Sequence, residues 1–444
     1  MALKLELINM FMKKKVIVQI FLSFVILFSG ISCSSRNNRN PDHLIYWSSN
    51  NTQEIQFAKY VVDKWNEKNS NEKISFQPVP EGQSSEEIIL AAVVGKTTPD
   101  IYSNMWEGNV EDYAKAGVLV ALDTLKGFKK YIYQRCDSAV IKEVTSSDGH
   151  IYQIPWKINP IMMIYNKKII QGLGLSGAPK NYSDYFKASK EFRDENTDKN
   201  GYVQKWFGYC EVQVTWWQRF FDFYPLYLAA SGGAPLIKDD TAAFNNKYAI
   251  EVFAFLQNLY KKNYFTKERL SVEQDVFLSS TIASRFTGPW EIAHTEKFKP
   301  KGFTYDFSTM PVPDDHTGPV YTYCDPKNIV IFKTCPNPEL AWRFIKFMTD
   351  EENDLKLLEF SDQLPRRKML DEDTFFANYF KENPKMLEFA KQSKYVRGTD
   401  PYPDLTEVFD IISQEYEESV VYGRKSPAEA IHDAAKEVNL LYMK

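Results

Sequence analysis

Two glutamates, Glu107 and Glu291, each directly follow a tryptophan, and they are the candidates for paired-carboxylate chemistry in this chain. Such a pair would cleave a glycosidic bond, one carboxyl donating a proton while the other acts as base or nucleophile. Little else prepares for catalysis. The sequence has no GxSxG elbow, no GxxxxGK[ST] phosphate loop and no HExxH zinc motif. Its histidines, His43, His150, His294, His316 and His432, are dispersed without metal-ligand spacing. The run Asn196 to Val203 alternates oxygen-bearing side chains before Gly201, as the first eight positions of a calcium loop do. Phe207 stands where that loop needs a bidentate acid, so a polar turn is expected and no metal.

The positive chemistry is aromatic. Nine tryptophans and 26 tyrosines are many for 444 residues, and several tryptophans fall outside helical stripes. Trp47 closes a strand, Trp106 follows one, and Trp156 sits beside Pro155. Trp216 and Trp217 are adjacent, and Trp290 follows Gly288-Pro289. Polar neighbours accompany them: Ser48, Glu107, Lys157 and Glu291. An indole stacks on the C–H face of a polyol while flanking side chains hydrogen-bond its hydroxyls. Trp65 and Trp342 lie instead on helical stripes and are expected in the core.

Apolar periodicity supplies the elements that would position these rings. Strands are expected at His43–Trp47, Lys73–Val79 and from Pro99 to Tyr102. Helices alternate with them: Glu54–Asn69, then Glu86–Val94 closing at Gly95, then Val110–Ala116 ended by Gly117. That alternation defines an α/β lobe with a largely parallel sheet. Open α/β sheets bind ligands beyond the C-terminal ends of their strands, where Trp47 and Trp106 fall. A helical, aromatic-rich middle runs from Asn166 to Lys299 and contains one clear amphipathic helix, Tyr248–Lys261. Another strand follows at Asn328–Phe332. Asn337-Pro338 then opens a helix whose buried face is Leu340, Ala341, Phe344, Ile345 and Met348. Ser426-Pro427-Ala428-Glu429 is a capping box that starts the last helix.

The N-terminus reads as an address. Lys13, Lys14 and Lys15 precede an apolar run, Val16 to Phe28, shorter than the ~20 residues a spanning helix needs. Gly30, Ile31 and Ser32 then lead to Cys33, a succession that resembles a bacterial lipoprotein signal. Residues 1–32 are accordingly expected to be removed and Cys33 lipidated; Met12, just before the lysines, is an alternative start. Ser34 to Pro41 has no apolar residue, so residues 33–41 are expected to be a flexible tether. The remaining chain suffices for two domains. A net charge of −4 disfavours nucleic acid as a partner. Cys136, Cys210, Cys324 and Cys335 could pair in three ways outside the cytoplasm, with Cys324–Cys335 disfavoured by the extended strand between them.

The order of features resembles the extracellular solute-binding proteins of ABC importers, in the group most often devoted to carbohydrates. The residues that carry the resemblance are Leu44-Ile45-Tyr46-Trp47 with Lys64-Trp65-Asn66, and Thr98-Pro99-Asp100-Ile101 with Tyr113 to Gly117. They continue with Asp148 to Pro155, Ile164-Tyr165-Asn166-Lys167, Thr287-Gly288-Pro289-Trp290 and the two capped helices after Asn337 and Ser426. The resemblance implies a type II periplasmic-binding-protein-like α/β fold, with two hinged lobes and a central ligand cleft. It implies a first lobe of residues 42–158 plus 322–358 and a second of 159–321 plus 359–444. Crossings between lobes would lie near Pro155–Ile161, Tyr321–Asp325 and Phe360–Pro365. Carried over by position, the cleft would contain Trp47, Ser48, Trp106, Glu107, Trp156, Asn159, Trp216, Trp217, Trp290, Glu291, Asp325 and Arg366. Lys157, entering a crossing, could pair with an acidic ligand. The resemblance further implies a monomer without cofactor or catalytic step, held outside the cytoplasm and delivering a carbohydrate to ABC permease subunits. A receptor-linked ligand sensor and a secreted glycosidase are the alternatives.

Overall fold

The computed structural model describes residues 39–80, 84–270 and 275–443. Cys33 and the expected leader lie outside the described residues. Among those described, no helix is long and apolar enough to cross a membrane.

Strand β1 (His43–Ser48) buries Leu44, Tyr46 and Ser48 in alternation, the period-two pattern of a strand with one core face. Asn51 then caps the helix Thr52–Lys68, its side chain accepting from the Gln53 and Glu54 amides. Phe57, Ala58, Val61, Val62 and Trp65 form that helix's buried face. β2 (Lys73–Pro78) pairs parallel with β1, and β3 (Ile101–Trp106) lies parallel on the other side. Between β2 and β3 the helix Ser85–Val94 ends at Gly95, which stays right-handed at φ −74°; Lys96 takes the left-handed turn at φ 54°. The expected glycine cap is thus displaced by one residue.

β4 (Ile154–Ile158) is buried at every position, and only Asn159, Pro160 and Ile161 separate it from β5 (Met162–Asn166) in a different sheet. The hairpin strands β6 (Ile237–Lys238) and β7 (Thr241–Ala242) follow. Next come β8 (Ser284–Thr287) and β9 (Tyr305–Ser308), which flank β5 antiparallel. β10 (Thr322–Tyr323) leads back into β11 (Lys327–Ile331), which lies antiparallel between β3 and β4. β12 (Leu364–Pro365) pairs with β4, and β13 (Val396–Arg397) with β10. The first sheet is therefore ordered β12-β4-β11-β3-β1-β2 and the second β8-β5-β9.

Two crossings run side by side. The Asn159 and Ile161 amides donate to the Cys324 and Tyr323 carbonyls at 2.5 and 2.9 Å. Near the third expected crossing the chain stays paired to the first sheet. The helix Glu351–Ser361 packs on Thr52–Lys68, and β12 stays in the first sheet. Leu370 and Phe376 then join the core beside β5. Pairing to β4 keeps the chain in the first sheet through Pro365. All four described cysteines are free and buried, so none of the possible pairings forms. The 196–203 run is a turn in which Asp198 accepts from the Asn200 and Tyr202 amides, and Phe207 is buried in the core. At the described end of the expected tether, Arg39 pairs with buried Asp100 at 2.5 Å, so the chain is docked from there onward.

Candidate functional site

Each lobe turns a strand into a helix around a tryptophan held over a glycine. In the first, β3 ends at Trp106, whose ring lies over Gly108; a Cβ there would come within 2.3 Å of the indole. In the second, β8 ends at Thr287 and the Trp290 ring folds over Gly288, where a Cβ would approach within 2.2 Å. No side chain fits beneath either ring. The glycines set where the indoles lie.

Trp106 is buried at the meeting of the lobes. Its indole N–H donates to the Tyr323 hydroxyl at 3.2 Å, and its ring packs on Trp216 and Phe220 at centroid distances of 4.8 and 5.6 Å. Trp216 faces an interlobe cavity of about 1090 Å³ between Glu86, Asp112 and Tyr113 on one side and Asp404, Glu407 and Asp410 on the other. Trp217, the next residue, turns into a second cavity of about 650 Å³. There Trp217, Phe221, Trp290 and Tyr209 supply aromatic walls, with Glu211 and Gln218 among them. Trp217 is 40 % exposed, and Phe221 meets the Trp290 ring edge-on at 6.2 Å.

The polar floor of this second cavity is a network. Arg285, on β8, reaches Asp275 at 3.0 Å and Glu291 at 2.6 Å through the same amino group. Thr295 also donates to Glu291, at 3.2 Å, and His294 Nε2 stands 3.5 Å from Asp275. Asp275 is held below the usual carboxylate range: the adjacent arginine and the Leu278 and Phe277 amides outweigh the opposing effect of burial. Asp275, Glu291 and His294 offer atoms within 4.8 Å of one another. The Arg285 guanidinium bridges both acids and offsets one of their two negative charges.

The other expected site residues fall elsewhere. Trp156 has no exposed surface and packs on Phe57 inside the first-lobe core, since its strand is covered on both faces. Lys157 is also committed internally, its ammonium 2.5 Å from Glu54, whose other oxygen accepts from Gln363 at 2.6 Å. It has no free charge for an acidic ligand. Trp47 donates to Gln77 at 3.1 Å and lines a separate recess with Arg39 and Pro99. Ser48, Asn159 and Asp325 stand at strand ends and the crossings, the first two buried. Asp325 adopts φ 35°, with an oxygen 3.8 Å from Lys327. Glu107 and Arg366 belong to a buried charged cluster with Glu143 and Arg397, remote in partners from Glu291. Burial, with Glu143's charge, raises the Glu107 carboxyl well above its usual range. Glu107 and Glu291 share no cavity and no hydrogen-bond partner among the described residues.

Phe221, Tyr209, Asp275 and Arg285 went unnoticed in the sequence. Arg285 alone left a trace: a charged residue in a β8 strand otherwise buried.

The profile of the bacterial extracellular solute-binding protein family matches residues 60–387, and the chain belongs to that family. A galactooligosaccharide-binding protein from Bacillus subtilis (strain 168) is 20% identical over 412 residues, covering 91% of this chain and 90% of that one. Among solved structures, an uncharacterised protein from Listeria monocytogenes EGD-e superposes with a TM-score of 0.78 at 26% identity, over 90% of this chain and all of the other. The cyclic alpha-maltosyl-1,6-maltose binding protein from Arthrobacter globiformis gives a TM-score of 0.74 at 18% identity, over 90% of this chain and 98% of its own. The two-lobed binding-protein fold is common to them.

Proposed function

We propose that this protein captures a sugar or oligosaccharide between its lobes and delivers it to the permease of an ABC importer. The observation that carries the reading is a cavity on the second lobe where Trp217, Phe221 and Trp290 surround the Arg285–Glu291–Asp275 network. Aromatic faces take the C–H surfaces of pyranose rings, and the fixed polar groups take hydroxyls. The names of relatives, a galactooligosaccharide binder and a cyclic maltosyl-maltose binder among them, point to the same ligand class. Cys33 would carry the lipid that holds a monomeric protein beside its permease at raised effective concentration. A glycosidase has little support, because Glu107 and Glu291 occupy different surroundings.

A panel of neutral oligosaccharides tested by thermal shift and calorimetry should contain a saturable ligand that is recovered unchanged; turnover would refute the transport reading. Trp290→Ala should weaken that binding at least tenfold while the far-ultraviolet spectrum and melting temperature stay near wild type. Loss of the fold, or unaltered affinity, would remove Trp290 from the site.

A further inference from the structure

Between the lobes lies a cavity of about 580 Å³ that shares no lining residue with the aromatic one. Lys142, Arg366, Arg367 and Lys368 approach it from the first lobe, and Lys394 and Arg397 from the second. Only two carboxylates, Asp137 and Glu143, line it with them. Arg367 is paired with Glu351 and Asp354, Lys394 with Asp371 and Glu372, and Arg397 with Asp400, which leaves Lys142 and Lys368 without an acidic partner among the described residues.

The arginines differ in how fully they are used. Arg135, buried nearby, spends Nε and both amino groups on Asp354 and on backbone carbonyls of Pro155, Trp156 and Thr349. Arg366 is 4 % exposed, yet only its Nη2 is engaged, by Glu143 at 2.9 and 3.0 Å. Its Nη1 is buried without a partner. An unsatisfied charged donor in this position is costly unless something accepts from it. Lys142 has no acidic partner among the described residues, and Lys368 donates only to the Tyr133 carbonyl, at 3.4 Å. Arg397 gives one amino group to the Gly233 carbonyl and the other to Asp400.

We propose that this cavity is a second binding site, for a phosphate-bearing small anion, held by Lys142, Lys368 and the under-used Arg366 guanidinium and touching both lobes. Tetrahedral oxyanions accept several charge-assisted hydrogen bonds at once, and a guanidinium fork with converging ammonium groups matches that geometry. The inference stands independently of the sugar reading, since the two cavities have no residue in common.

Inorganic phosphate and pyrophosphate, titrated by calorimetry and thermal shift at ionic strength held constant with sodium chloride, test it. Saturable binding is expected, weakened at least tenfold in Lys142→Gln/Lys368→Gln, with Arg366→Lys also weakened. Both lysines lie at the cavity's exposed margin, so the double variant should keep its wild-type melting temperature in chloride alone. A response that chloride reproduces, or that survives in the double variant, overturns the proposal. Oligosaccharide bound in the aromatic cavity should not displace the phosphate; competition would make the two cavities one site and overturn it too. Phosphate binding with no sugar binding would fail the transport reading while sustaining this one.

Discussion

Lys157 and Glu54 show how strongly a residue's role depends on what surrounds it. Both are almost fully buried, and their charged atoms lie 2.5 Å apart. Burial disfavours the ammonium and lowers the Lys157 pKa, while Glu54 stays below its usual range because Lys157 and several hydrogen bonds outweigh desolvation. Removing one partner strands the other charge in the core. Lys157→Met should therefore destabilise the protein by about 3–5 kcal/mol in urea unfolding. Glu54→Gln/Lys157→Met, which removes both charges, should recover much of the loss. If the double variant is no better than the single, the penalty arises from packing and not from the orphaned carboxylate.

At the scale of elements, local chemistry is sufficient to place ends and faces. The last helix, Pro427–Tyr442, begins with both halves of a capping box: the Ser426 hydroxyl accepts from the Glu429 amide, and the Glu429 carboxylate accepts from the Ser426 amide. Its buried face is Ala430, Ile431, Ala434, Ala435 and Val438. Ser426→Ala should cost about 1 kcal/mol, read from the urea midpoint, while sugar affinity is unchanged. The stripe Leu340, Ala341, Phe344, Ile345 and Met348 was likewise legible, because an i, i+3, i+4 pattern is a property of the segment alone. Strand β12 was not legible. Two residues carry no periodicity, and their role is fixed by β4, some two hundred positions earlier.

Across the whole molecule, one of the titratable groups where the lobes meet is Asp112. The Asp404 amide donates to Asp112 at 3.4 Å across the acidic cavity. Burial, opposed by that amide and reinforced by the Asp404 charge, pushes the Asp112 carboxyl up to about 6. A carboxyl that holds its proton more tightly when folded stabilises the fold below its unfolded value near 4, and that contribution is lost as pH rises through about 6. Asp112→Asn should therefore flatten the fall in melting temperature between pH 4.5 and 7. An unchanged slope would show that Asp112 titrates normally.

The sequence by itself determined the element order, the caps, the aromatic chemistry and the resemblance to a family of binding proteins, because each rests on neighbours within a turn or two. Tertiary structure decided which aromatic rings face a ligand. Trp156 and Trp290 carry the same local marks, a preceding proline and a charged residue after. One lies in a strand covered on both faces between β11 and β12, the other on a strand-to-helix turn above Gly288. Whether an indole is core or cavity wall is settled by long-range pairing that covers one face and leaves another open. The same reason hid Phe221, Asp275 and Arg285: they converge only when β8 and the segment after Trp216 are folded against each other.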